Sequence, residues 1–78
     1  MTRGTPIGNR LRVLRFEHDE MTQDALARAA GITRQTIVAL EGGHYAPSLE
    51  LAMRLALVFN RRVDDVFFWR EPPAACNA

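Results

Sequence analysis

From Thr22 to Gly43 the chain reads TQDALARAAGITRQTIVALEGG, and its apolar positions recur in two helical phases separated by a short break. Leu26 and Ala30 lie four apart on one face of a helix. Ile37 and Leu40 lie three apart on one face of a second, so the two faces can share a core. Gly31 can adopt the left-handed conformation that ends a helix at no steric cost, and Thr33 can cap the next helix through its hydroxyl. Ile32 plugs the corner, Ala27 is small where the second helix must come close, and Thr22 stands as the cap ahead of Gln23. The pattern predicts a helix-turn-helix over 22–41.

The same rules extend in both directions. Leu11 and Leu14, with Ile7 at compatible spacing, predict a first helix from about Asn9 to His18. The run PSLELAMRLALVFN predicts a fourth helix, capped by Ser48, with Glu50 in its first turn and Glu50 to Arg54 as an i,i+4 pair. Leu49, Leu51, Ala52, Met53, Leu55, Ala56, Val58 and Phe59 leave little of that helix polar, so it reads as the central strut. Asn60 is a left-handed stop. Val63, Val66 and Phe67 then predict a last short helical turn with Asp64 and Asp65 near its N-terminus. The sum is an all-α, five-helix domain over 9–69. An N-terminal arm or short strand over 1–8 precedes it, and a flexible tail over 70–78 follows it.

Phe67, Phe68 and Trp69 in a row are more aromatic surface than the end of so small a bundle hides. If the chain is extended there, Phe67 enters the core while Phe68 or Trp69 meets a second copy.

Composition narrows the function classes. A chain of 78 residues has room for one small domain, which buries about 60% of its unfolded surface, and leaves none for a second, ligand-sensing or catalytic one. Ten arginines and no lysines against nine acids give a net charge of +1, far from the basic balance of a non-specific nucleic-acid coat. Cys76 has no second cysteine to pair with. His18 and His44 lack zinc-ligand spacing, so no metal and no cofactor are expected. These three residues show no arrangement of nucleophile, base and orienter, so no catalytic residue, enzymatic activity or small-molecule substrate is assigned. No run of 18 apolar residues and no leader are visible, which predicts a soluble, cytoplasmic protein without a membrane partner.

The chemistry lies on the second helix of the motif. With Ile37 and Leu40 turned inward, Thr33, Arg34, Gln35 and Thr36 form a polar front at its N-terminal end. A bundle needs only the inward set. A reader of double-stranded DNA also needs hydroxyl, guanidinium and amide groups at the exposed start of a helix that fits the major groove. There arginine pairs with guanine and glutamine with adenine, through two bonds each.

The run TQDALARAAGITRQTIVALEGGHYAPSLELAMRLALVFN resembles the Cro/repressor-type (Xre) helix-turn-helix transcription regulators, over roughly Asn9 to Trp69. The string RQTIVALEGGHYAPSLELA, with DDVFFW after it, is most similar to the small single-domain repressors of the cytolysin-operon type. The resemblance implies a lambda-repressor-like domain with a short terminal β ribbon at its dimer end, and a homodimeric, sequence-specific repressor. It also implies roles residue by residue. Gln23 contacts phosphate, Thr33, Arg34, Gln35 and Thr36 enter the major groove, and Tyr45 lies on a backbone-contacting loop. Phe68 and Trp69 fall at the dimer interface, and Arg15 with Glu41 forms a structural salt bridge. Three features depart from the family pattern, and Pro6 adds a further limit. His44 and Ala46 flank Tyr45 where relatives carry lysine and asparagine, and the stretch Phe16 to Met21 is one residue longer. Ala39 narrows the base-contacting set, and Pro6 limits the N-terminal strand. The alternative is an antitoxin-like protein-interaction module that binds DNA mainly in complex with a partner protein, for which the aromatic end is equally suited.

Overall fold

The computed structural model describes residues 4–72; Cys76 and the rest of the expected tail beyond residue 72 lie outside the described residues. The chain runs through β1 (Ile7–Asn9), α1 (Leu11–Glu17), α2 (Gln23–Ala30), α3 (Arg34–Glu41), α4 (Leu49–Val58), α5 (Val63–Val66) and β2 (Phe67–Trp69). The domain is therefore all-α in its body, with five helices among the described residues, and the two strands close into one small antiparallel ribbon.

Three of the helices start on a hydroxyl. Thr22 accepts from the Ala25 amide, Thr33 from Thr36 and Ser48 from Leu51, with each capping residue in extended conformation. Such a cap satisfies an amide the helix leaves unpaired and contributes about 1 kcal/mol. Two of the stops are left-handed: Gly31 ends α2 with φ of 74°, and Asn60 follows α4 with φ of 54°.

Leu11 and Leu14 from α1, Leu26 from α2, Ile37 and Leu40 from α3, and Leu55 from α4 meet in one core. Ala27 and Ala30 are buried on α2, and Ala52 and Ala56 on α4. These small side chains allow α2 to pack against both α3 and α4.

The ends of the elements differ from the sequence expectation. The first helix begins at Leu11 rather than Asn9, because β1 takes residues 7–9 and pairs Ile7 with Trp69, Gly8 with Phe68 and Asn9 with Phe67. Ile7 therefore belongs to the ribbon and not to the helix. Phe67 likewise opens β2 instead of closing the last helical turn. Pro6 stands just ahead of the strand, where its missing amide costs no ladder bond, and its carbonyl accepts from the Arg70 amide at 2.7 Å. Gly8 leaves room for the Phe68 ring that crosses it: a Cβ there would lie 2.6 Å from Cε1 of Phe68, and the ring would have to shift.

The strut helix also departs from its expected form. α4 turns Ala52, Leu55 and Ala56 inward but leaves Leu49, Met53 and Leu57 exposed along its other side, Leu57 at 77%. No helix among the described residues is long and apolar enough to cross a membrane.

Candidate nucleic-acid interface

The phase of α3 is set by burial: Ile37 and Leu40 are sealed in the core, so the opposite side of the first turn must face outward. Arg34 and Gln35 are exposed there, and Thr36 is half-buried beside them. The Thr33 hydroxyl accepts from the Thr36 amide at 3.2 Å and lies 3.0 Å from the Thr36 hydroxyl. The two threonines thus organise the helix start, while the two longer side chains project beyond it.

Behind this front lies a chain of polar contacts that crosses three helices. Arg15 of α1 donates from Nε and an η nitrogen to both carboxylate oxygens of Glu41, at 2.6 and 2.9 Å, and from its other η nitrogen to the Met21 carbonyl at 2.9 Å. Both side chains are nearly covered, at 13% and 10% exposure, so this forked pair is far less screened than a surface one. Gln23 at the start of α2 donates from Nε2 to Glu41 Oε1 at 3.2 Å. Its own Oε1 accepts from the Arg34 guanidinium at 3.3 Å. Five residues singled out in the sequence, Arg15, Gln23, Thr33, Arg34 and Glu41, thus fall within the first turns of α2 and α3 or directly behind them. Tyr45 is exposed on the loop after α3, and among the described residues these hydrogen bonds do not extend to it.

The arginines of the first helix region do not form a free basic patch. Arg10 sits over the Phe68 ring at 5.5 Å, Arg12 over Phe16 at 6.0 Å, and Arg15 is held by Glu41. Arg61 faces Glu17 at 3.6 Å and Arg62 faces Asp64 at 3.1 Å. The start of α3 presents exposed Arg34 and Gln35 side by side, rather than a spread basic field.

Two positioning residues escaped the sequence reading. Asn9 accepts from the Leu11 amide and donates to the Leu40 carbonyl at 2.8 Å, fastening the ribbon and the start of α1 to the end of α3. A polar residue just before an apolar helical run was the available signal. Arg54, read only as the partner of Glu50, also reaches the Ala30 carbonyl at 3.3 Å, where a cation suits the C-terminal end of α2.

The helix pair α2 and α3, joined by a tight turn at Gly31 with its second helix open at the N-terminal end, matches a known domain. A family model described as helix-turn-helix covers residues 16–66. The chain belongs to the helix-turn-helix family. An uncharacterised HTH-type transcriptional regulator of Methanothermobacter thermautotrophicus is 46% identical over 82% of this chain and 99% of its own length. One from Archaeoglobus fulgidus is 51% identical over 65% of the chain and 72% of its own length. Another from Methanocaldococcus jannaschii is 41% identical over 81% of the chain and 94% of its own. Family and relatives together make this helix-turn-helix protein a DNA-binding transcriptional regulator.

Proposed function

We propose that this helix-turn-helix protein is a sequence-specific repressor that acts as a homodimer and reads the major groove with the first turn of α3. The observation that carries the reading is the exposure of Arg34 and Gln35 at the capped start of a helix whose inner face is pinned by Ile37 and Leu40. Long, hydrogen-bonding side chains at that end of a groove-sized helix are suited to base edges. Thr33 and Thr36 hold the turn and border it.

Gln23 and Tyr45 supply backbone contacts. The Gln23 amide carries two hydrogens, one of which goes to Glu41, leaving the second for a phosphate oxygen. Such contacts fix register without carrying sequence information. Phe68 at 41% exposure and Trp69 at 54% form the dimer surface at the ribbon end, and a two-fold axis there brings a second α3 to a second half-site about one helical turn, roughly 34 Å, away. The Arg15 to Glu41 pair is structural, tying α1 to the end of α3.

Replacement of Gln35 by Ala tests the groove assignment. Measured on the operator and on duplexes changed at one base pair each, Gln35→Ala is expected to cost about 1–3 kcal/mol and to relax preference at one position. Unchanged affinity and unchanged preference would remove α3 from the groove.

A further inference from the structure

We infer that Glu41 is a positioning residue for DNA reading, acting on Arg34 through the side-chain amide of Gln23; the inference rests on the reading of α3 as the groove element. A glutamine amide offers a donor at one end and an acceptor at the other, and in water the two ends exchange freely. Here its neighbours choose. A carboxylate only accepts, so Glu41 Oε1, at 3.2 Å, selects the Nε2 end of Gln23. A guanidinium only donates, so Arg34, at 3.3 Å, requires the Oε1 end. The reversed amide would set oxygen against carboxylate and NH2 against guanidinium, opposing both contacts at once.

The orientation is only as firm as the carboxylate behind it. Arg15 grips both oxygens of Glu41 and is itself held by the Met21 carbonyl. The result is an ordered path, Arg15 to Glu41 to Gln23 to Arg34, that runs from the protected interior to the exposed front. An arginine already held at one nitrogen in the free protein loses less rotamer freedom when it meets a base. Its remaining N–H groups stay available for a bidentate contact. The part of this ordering that reaches Arg34 shows as discrimination at one base pair. A phosphate contact or a fold defect instead scales binding to every duplex alike.

The experiment is a competition titration of the full chain on its operator and a set of duplexes each altered at one base pair. Arg34→Ala first locates the pair that Arg34 reads, by the discrimination it loses. Glu41→Gln should then lower the affinity ratio at that pair by about two- to tenfold, the ordering cost of one long side chain, and by less than Arg34→Ala does. Gln23→Ala should lower it equally, the double variant should fall no further, and discrimination at the pair read by Gln35 should persist. Gln23→Ala leaves the Arg15 to Glu41 pair in place and carries the test if Glu41→Gln does not fold. If Glu41→Gln or Gln23→Ala weakens all duplexes in proportion and leaves that ratio untouched, the positioning role is overturned while the groove reading stands. If Arg34→Ala changes no ratio but Gln35→Ala does, the inference falls alone. If neither changes any ratio, the groove reading falls and the inference with it.

Discussion

Asp19 and Glu20 both sit in left-handed backbone, at φ of 55° and 54°, in the loop that joins α1 to α2. An L-residue with a Cβ gives up about 1–2 kcal/mol in that region, aspartate less than most because its short side chain bonds locally. The loop is held by its surroundings, with the Met21 amide donating to the Arg15 carbonyl at 2.8 Å. Arg15 is the same residue that grips Glu41, so the strained turn lies beside the polar path to the start of α3. Glu20→Gly should therefore raise the free energy of unfolding by about 0.5–1 kcal/mol, the relief at φ above zero exceeding the entropy gained by the unfolded chain. Urea denaturation measures it, and a loss of stability would show that the left-handed backbone carries no strain.

At the scale of elements, the sequence is most informative where contacts are local. Leu26, Ala30, Ile37 and Leu40 fall into two helical phases, Gly31 breaks them, and Thr22, Thr33 and Ser48 cap as their hydroxyls allow, so α2, α3 and the start of α4 are readable without coordinates. The outward phase of Arg34 and Gln35 follows from the same periodicity. The strand pairing of Asn9 and Phe67 is not legible from periodicity, for the opposite reason. Each is claimed by a strand pairing between segments at opposite ends of the domain, and a three-residue strand has no periodicity of its own. The links from Gln23 to Arg34 and Glu41 are likewise invisible, because they join positions 11 and 18 residues apart through side-chain conformation. In α4 the apolar residues run all round the helix, so periodicity cannot tell Leu55 from Leu57. Burial does. Leu55 is sealed and Leu57 is open. Leu55→Ala should cost about 2–5 kcal/mol, whereas Leu57→Gln should stay within about 0.5 kcal/mol; comparable losses in thermal unfolding would mean that the outer side of α4 is covered.

At the scale of the whole molecule, the proposed dimer links the aromatic end of the ribbon to the spacing of two copies of α3. Phe68 is partly sheltered by Gly8 beneath it and the Arg10 guanidinium over its ring, while Trp69 stands beside Ile7 with more than half its surface open. Trp69 is thus the larger unspent apolar surface at the ribbon, and its loss should act on assembly before it acts on folding. Trp69→Ala should shift sedimentation from dimer toward monomer with little change in helicity, and should weaken operator binding by removing the second half-site. A wild-type chain that sediments as a monomer at micromolar concentration would reject the dimer.

Sequence-specific reading of DNA is tested most directly by titrating the protein against the duplex upstream of its own gene and a shuffled duplex of equal composition, at two salt concentrations. Neutralised phosphates make both affinities fall as salt rises, but base contacts made by Arg34 and Gln35 should preserve the preference for the native duplex at the higher salt. Equal binding to both duplexes that salt abolishes, or no binding at all, would contradict a specific regulator acting alone and favour a module that meets DNA only with a protein partner.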